Sequence, residues 1–467
     1  MKIPRILLAA GASGSGKTLI TCGLLQALVN RRLKVASFKC GPDYIDPMFH
    51  SQVIGTKSRN LDTFFTSAQT TRCLLSENAS DCDIAVMEGV MGYYDGVAGT
   101  STKASAYDLA DVTDTPVILI VNSKGMSVSL AAYLKGFMEY RKESHIKGVI
   151  LNQMSPMLYP RMKALLEEEL KIKVLGYVPK VEDCVIESRH LGLVLPEEVA
   201  DLKERLAKLA QVLEKTLEID QILTLAQSAP ELESTQLPKE QEDAYGFRLP
   251  EKVRIGVAKD EAFCFFYEDN FRLLEKMGAE LVPFSPIYDE YLPDGLDGLL
   301  LYGGYPELNG ENLERNENIR TQIAKAVQAG MPCIAECGGF MYLHEEMEDM
   351  EGVFRKTCSV IPGKCYRTPK LTRFGYVTLS AKKPVFGVDG AKIGEIPAHE
   401  FHYFDSENCG SDFYAAKPLS KRGWDCIHCT DNLMAGYPHL YYYGNPRVPK
   451  AFLQKCLEYH KENMSQT

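Results

Sequence analysis

Eight residues constrain this chain more tightly than any others. Gly11-Ala12-Ser13-Gly14-Ser15-Gly16-Lys17-Thr18 stands between an apolar run, Arg5–Ala10, and a helical stretch, Leu19–Val29. A G-x-x-x-x-G-K-T loop in that setting is a phosphate-binding loop: its glycines let the backbone curl so that N–H groups face phosphate oxygens, and the helix N-terminus adds positive potential. In this reading Gly11, Ser13, Gly14, Ser15 and Gly16 wrap the phosphates, Lys17 neutralises the β- and γ-groups, and Thr18 offers its hydroxyl to Mg²⁺. Such a loop commits the N-terminal half to a parallel sheet whose ligands sit at the carboxyl edge.

Further apolar runs, Val35–Phe38, Asp83–Met87, Val117–Val121, Val149–Leu151 and Val174–Gly176, are spaced by helical stretches, the pattern of a mostly parallel sheet covered by helices. A second series, Arg254–Ala258, Glu280–Phe284, Gly298–Leu301 and Pro332–Ala335, with a helical stretch at Leu313–Gln328, predicts another α/β unit. Between them the chain from Gln227 to Gly246 turns to Ser, Pro, Gln and acidic residues, which build no core. A chain of 467 residues is too long for one core. The expected architecture is therefore α/β throughout: a P-loop domain over 1–226, a linker over 227–250 and a second domain over 251–467.

A formal net charge of −10 and a pI near 5.6 exclude general attraction to nucleic acid or anionic membrane, so an anionic ligand must be met locally. No run approaches the roughly 18 apolar residues of a membrane span, and Met1 to Ala10 reads directly into a strand, so the expected location is the cytoplasm. The 14 cysteines are expected to be reduced and mostly buried. Cys426, His428 and Cys429 have suggestive spacing but lack the second ligand pair of a structural zinc site.

A P-loop enzyme needs carboxylates near its metal. The Asp83–Met87 strand delivers Glu88, and Asp95 follows in the same loop; both are expected at Mg²⁺. Lys39, at the end of its own strand, is a candidate second phosphate cation, and Asn152, after the Val149–Leu151 run, is assigned to the ATP site.

In the second half the strand Pro332–Ala335 runs into Glu336-Cys337-Gly338-Gly339 and then a helical stretch. A cysteine at such a bend is exposed, its thiolate is favoured by the helix N-terminus, and backbone N–H groups stand ready for an oxyanion. Gly338 and the upstream Gly303-Gly304 of Gly303-Gly304-Tyr305-Pro306-Glu307 are the expected walls of that oxyanion site. The general base is one of His439, His399 and His402; spacing alone does not choose.

The combination resembles the cobyrinic acid a,c-diamide synthase family over nearly the whole chain. The resemblance rests on Lys39-Cys40-Gly41-Pro42-Asp43-Tyr44-Ile45-Asp46-Pro47, Arg59-Asn60-Leu61-Asp62, Glu88-Gly89-Val90-Met91-Gly92, Ser188-Arg189-His190-Leu191-Gly192-Leu193 and Ala262-Phe263-Cys264-Phe265, with the glycine, cysteine and His399–Tyr403 stretches. The related cobyric acid synthases are less similar after the P-loop. The resemblance implies a P-loop domain with a dethiobiotin-synthetase-like sheet and a class I glutamine amidotransferase domain. It implies that Cys337 is the glutaminase nucleophile and His439 its activating histidine, and that His399 and His402 belong to a neighbouring structural or substrate-facing segment. Many class I amidotransferases carry a glutamate two residues beyond that histidine; this chain has Tyr441 there, and the diamide synthase branch is similar in lacking the acid.

The function so implied is ATP- and Mg²⁺-dependent amidation of the a and c carboxylates of cobyrinic acid through acyl phosphates, with ammonia from L-glutamine. Asp43, Tyr44, Asp46, Arg189 and His190 are the substrate-side candidates. Neither nucleic acid nor membrane is an expected partner, and a homodimer is compatible with the reading. The rivals are the same chemistry on hydrogenobyrinic acid or nickel sirohydrochlorin, and a regulatory P-loop ATPase whose cysteine domain only binds a small ligand.

Overall fold

Strands buried on both faces read as continuous apolar runs, and every residue of β1 (Arg5–Ala10) and β2 (Val35–Cys40) is buried. The computed structural model describes residues 1–181, 188–189, 192–193, 201–233 and 235–464. The chain divides into two units, Met1–Leu237 and Pro238–Thr467.

In the first unit β1 and β2 join β3 (Lys57–Leu61), β4 (Ile84–Glu88), β5 (Val117–Asn122), β6 (Ile146–Asn152) and β7 (Lys173–Val178) in a sheet of order β3-β2-β4-β1-β5-β6-β7. All its pairings are parallel. β3 escaped the sequence reading because Lys-Ser-Arg-Asn-Leu is polar and flanks the sheet's edge. The chain passes from β1 to β2 across β4, and register sets Glu88 opposite Leu8 on one side and opposite Lys39 on the other. That register brings the acid and the cation together at the sheet's carboxyl edge. Arg5, fully buried at the start of β1, donates to the carbonyls of Ile3, Thr113 and Asp114.

Ser188–Arg189 (β8) and Gly192–Leu193 (β9) form a short antiparallel pair. His190 lies outside the described residues, and so does the side chain of Arg189.

Of the segment 227–250, Ala229 and Leu232 are buried, and the Leu232 N–H donates to the Met1 carbonyl. Farther on, Glu242–Tyr245 is a helical turn whose Tyr245 hydroxyl donates to the Tyr443 carbonyl at 2.7 Å. Each part of the segment is thus packed within its own unit.

The second unit is built on β10 (Val253–Ala258), β11 (Ala279–Phe284), β12 (Gly298–Leu301) and β13 (Cys333–Glu336). β14 (His344–Glu348), β15 (Phe354–Lys356), β16 (Ile361–Arg367) and β19 (Phe404–Ser406) make a second sheet. A third contains β17 (Phe374–Ala381), β18 (Ile396–Phe401), β20 (Phe413–Ala416), β21 (Gly423–Cys426) and β24 (His439–Leu440). β22 (His428–Cys429) and β23 (Leu433–Gly436) complete the main sheet, ordered β11-β10-β12-β13-β23-β22, in which only the β22 pairing is antiparallel. The helical stretch expected over Leu313–Gln328 is two helices, Gly310–Arg315 and Glu317–Gln328. Asn316 separates them, and its side chain caps the second by accepting from the Ile319 N–H.

The short helix Gly338–Tyr342 lies against β12 so closely that a Cβ on Gly339 would fall 2.0 Å from the Leu301 carbonyl oxygen. In an ordinary helix Gly→Ala stabilises; here the added methyl meets backbone. We expect Gly339→Ala to destabilise the second unit by roughly 1–3 kcal/mol, as overpacking does, measured by urea unfolding.

Candidate active sites

At the end of β1 the backbone turns through Gly14 (φ +74°) and Gly16 (φ +88°), conformations that glycine adopts without strain. The helix Lys17–Asn30 follows at once. Asn152, at the end of β6, donates through Nδ2 to the Ser15 carbonyl at 2.9 Å and so clamps the loop. Lys17 donates to the Met91 carbonyl at 2.6 Å, and the Thr18 hydroxyl donates to Glu88 Oε1 at 2.7 Å.

Glu88 is fully buried and is the hub of this site. Lys39 Nζ lies 2.9 Å from Glu88 Oε1 and also pairs with Asp46, while His50 Nε2 lies 3.3 Å from Glu88 Oε2. Burial raises the Glu88 pKa, but Lys39, His50 and Thr18 outweigh it and hold the carboxylate ionised, below the usual range. Burial likewise opposes charge on Lys39; Asp46, Glu88 and Asp43 reverse this and keep it a cation. Lys17 is lowered by its own burial and by Lys39.

Asp95 accepts from the Gly92 N–H at 3.1 Å and contributes to the field at Lys17. Asp43 accepts from the N–H groups of Ile45 and Asp46, and Asp46, read from sequence as substrate-facing, is 4% exposed and turned onto Lys39. Tyr44 immediately precedes the helix Ile45–Met48. Thr18 and Glu88 are oxygen donors of the kind Mg²⁺ takes. Among the described residues no group of three or more acidic, His or Cys side chains is assembled to hold a metal alone; a Mg²⁺ that keeps its waters and phosphate oxygens needs only one or two protein ligands, so the residues fit it.

In the second unit Cys337 stands between β13 and the helix Gly338–Tyr342 with φ +48° and ψ −105°. A non-glycine residue held there stores strain of about 1–3 kcal/mol; the side chain is 7% exposed, packed into the core rather than exposed on the bend as the sequence suggested. The Cys337 N–H donates to the Gly436 carbonyl, which fixes the bend. Gly338 opens the helix, so its N–H has no intrahelical acceptor, and its Cα lies against Gly304 and Pro306. A Cβ on Gly303 would meet His439 Cε1 at 2.6 Å and Cys337 Cβ at 3.4 Å; Gly303 thus lies against both side chains.

These contacts choose among the three histidines. His439 is buried and interacts with both Cys337 and Glu336; burial lowers its pKa, but those two partners raise it to about 10. His399 is its cross-strand partner in the β18–β24 pair. Burial, then the His439 charge, push His399 down to about 3. His402 is stacked on Tyr437 at 3.8 Å, with Nδ1 on the Phe404 carbonyl and Nε2 on Glu400. Only His439 meets the thiol.

Sequence reasoning passed over two residues. His50, in a π-helical turn at Phe49–Ile54, carried no motif. Glu336 was read only as the neighbour of the nucleophile, yet its Oε2 lies 3.7 Å from His439 Nδ1 and accepts from the Leu440 N–H at 3.3 Å. The available signal was a carboxylate ending an otherwise apolar strand. Tyr441, which occupies the position of the missing glutamate, is buried and donates to Asp269 Oδ2 at 2.9 Å.

All described cysteines are free thiols. Burial raises the pKa of Cys22, Cys333, Cys358, Cys365 and Cys456. Cys426 and Cys429 are buried too, and the neighbouring His428 points its Nε2 at the Asn408 carbonyl.

Buried His344 gives a pH test of the same unit. Its Nδ1 donates to the Phe340 carbonyl and its Nε2 lies 2.7 Å from the Ser406 hydroxyl, which can donate to the neutral ring. Burial lowers its pKa to about 4, so the stability this provides is present above the ordinary value near 6.5 and is lost as pH falls through 4. Between pH 7 and pH 5 the wild-type protein should lose about 2 kcal/mol more than His344→Gln, read from urea midpoints at each pH.

Residues 6–193 match the family described as the CobQ/CobB/MinD/ParA nucleotide binding domain, and residues 254–446 match the CobB/CobQ-like glutamine amidotransferase domain. Among its relatives are proteins named cobyrinate a,c-diamide synthase from Caldanaerobacter subterraneus subsp. tengcongensis and Priestia megaterium. Each is 36% identical over 98% of this chain, covering 100% and 98% of the relative. A protein of the same name from Thermoplasma volcanium is 36% identical over 99% of both chains. Similarity of this extent, continuous through both units, means that the chain belongs to the cobyrinate a,c-diamide synthase family.

Proposed function

We propose that this protein converts the a and c carboxylates of cobyrinic acid to primary amides, using ATP to activate each acid and glutamine to supply the nitrogen. The observation that carries the reading is the presence, in one chain with full-length relatives of that name, of two built sites: Lys17, Thr18 and Glu88 around a phosphate loop, and Cys337 against His439.

A carboxylate resists ammonia because its substitution would expel an oxide-like leaving group. Transfer of the γ-phosphoryl group to a carboxylate oxygen gives an acyl phosphate and ADP; ammonia then adds to the carbonyl carbon and phosphate departs. The backbone of Gly11, Ser13, Gly14, Ser15 and Gly16 binds the phosphates, with Asn152 holding the loop in shape. Lys17 and Lys39 offset the charge that accumulates on the transferring group. Thr18 and Glu88, with Asp95 nearby, would hold Mg²⁺, whose charge neutralises the phosphate oxygens. Asp43, Tyr44, Arg189 and His190 are the substrate-side residues of this proposal, and Asp46 contributes through Lys39.

In the second unit His439 holds the proton given up by Cys337, and the sulfur attacks the glutamine amide carbon. N–H groups at Gly304 and Gly338 receive the developing oxyanion between walls that include Gly303. Ammonia leaves with the proton returned by His439, and water cleaves the thioester to glutamate.

Incubation of the purified protein with cobyrinic acid, ATP, Mg²⁺ and glutamine should give stepwise conversion of two acids to amides by mass spectrometry, with nickel sirohydrochlorin as the comparison macrocycle. Absence of amidated product from cobyrinic acid would refute the substrate. Cys337→Ala should lower glutamine-dependent turnover by about 10³-fold or more while ammonium chloride still supports amidation. Lys17→Ala should lose both reactions, since it strikes the activation they share.

A further inference from the structure

The position two residues beyond His439 holds Tyr441, committed to Asp269, so the carboxylate that would orient the histidine from there is absent. An imidazole that moves protons at one nitrogen needs its other nitrogen held, or both the tautomer and the ring direction drift. Among the described residues Glu336 is the carboxylate placed beside His439. Glu336 ends β13, and the parallel register of β13 with β23 sets Glu336 opposite Gly436, three residues before His439. Its side chain is buried; Oε2 receives the Leu440 N–H and stands 3.7 Å from His439 Nδ1. Oε1, also buried, has no hydrogen-bond partner.

We propose that Glu336 is the positioning residue of the glutaminase site. It holds His439 by Nδ1, leaving Nε2 for the Cys337 thiol, and so replaces from the preceding strand the acid missing beyond the histidine. The assignment rests on the reading of Cys337 and His439 as nucleophile and base. A separation of 3.7 Å is an ion-pair distance, longer than a hydrogen bond, and contacts of this kind tighten when substrate fills the site. The orphan Oε1 gives the carboxylate a second oxygen to turn toward the ring. Because Glu336 and Cys337 are consecutive, one strand end sets both the nucleophile and the anchor of its base.

The titratable groups around this pair are Cys337 on the bend, Tyr302 after β12, Tyr442 beyond β24 and His399 on β18. Tyr302 and Tyr442 bond to each other through their hydroxyls at 3.3 Å, and Glu336 is the acid whose charge and hydrogen bond act on the His439 imidazole.

The test compares wild type, Glu336→Gln and Glu336→Asp for glutamine hydrolysis, for ammonia-dependent amidation and for the pH dependence of kcat. Glu336→Gln should lower glutaminase kcat by about 10²–10³-fold, with KM for glutamine changed by less than about 3-fold. Ammonia-dependent amidation should be retained, and the limb of the pH profile governed by His439 should move to lower pH as the neighbouring charge is removed. Glu336→Asp should recover part of the rate. Wild-type kcat in Glu336→Gln, or an unmoved pH limb, would overturn the proposal. Equal loss of both activities would assign Glu336 to folding and overturn it too. Cys337→Ala separates the two levels: a Cys337→Ala protein that still hydrolyses glutamine removes the underlying reading, whereas an inactive one beside a fully active Glu336→Gln removes only the role of Glu336.

Discussion

A carboxylate moved out of water destabilises a fold by several kcal/mol unless cations or donors face it. Glu88 and Glu336 each stand buried at the last position of an inner parallel strand, and the chemistry of each unit is arranged around that compensation. Around Glu88 the compensation is strong at Oε1, where Lys39 and the Thr18 hydroxyl converge, while Oε2 faces His50 at 3.3 Å without a hydrogen bond. Around Glu336 it is partial, with one backbone donor, one histidine and one oxygen unmatched. The first arrangement suits a rigid cradle for phosphate, where charge must already be in place when the nucleotide arrives. The second leaves one carboxylate oxygen free to turn toward the His439 ring.

The same contrast appears in the backbone. The phosphate loop uses glycines at Gly14 and Gly16, so its positive φ angles cost little. Cys337 takes a positive φ with a side chain attached, and the surrounding sheet, the Gly436 carbonyl and the tight seat of Gly339 on β12 must hold it there. Strain at a reacting residue persists only where the neighbouring structure over-determines it. The crowding at Gly303, Gly338 and Gly339 is that over-determination.

Much of this was legible in the residues because it is encoded locally. The phosphate loop declares itself by spacing, and the turn at Glu336-Cys337-Gly338-Gly339 by an apolar strand that breaks into glycines. What could not be read depends on pairing between distant strands. The choice of His439 over His399 and His402 follows from the β18–β24 register and from the side of the loop that Gly303 leaves open. The place of Glu336 beside His439 follows from the β13–β23 register. The third sheet, β17, β18, β20, β21 and β24, was missed because its strands are only partly buried: along Phe374–Ala381 only Val377 and Leu379 are buried, so no continuous apolar run marks the strand. Asn316, which splits the expected long helix, was legible in principle, since Asn is a favoured N-cap.

The thiols described above also decide how the protein meets electrophiles. Those of Cys22, Cys333, Cys358, Cys365 and Cys456 are sealed in the interior and kept protonated by it. Cys337 stands on a bend with a proton acceptor at hand. A chloroketone or diazo compound shaped like an amino acid therefore encounters chemoselectivity that a count of 14 cysteines conceals. Among the described thiols Cys82, Cys264 and Cys409 are half-buried and open to a small electrophile, so an amino-acid shape, rather than burial of the other sulfurs, directs such a reagent to Cys337.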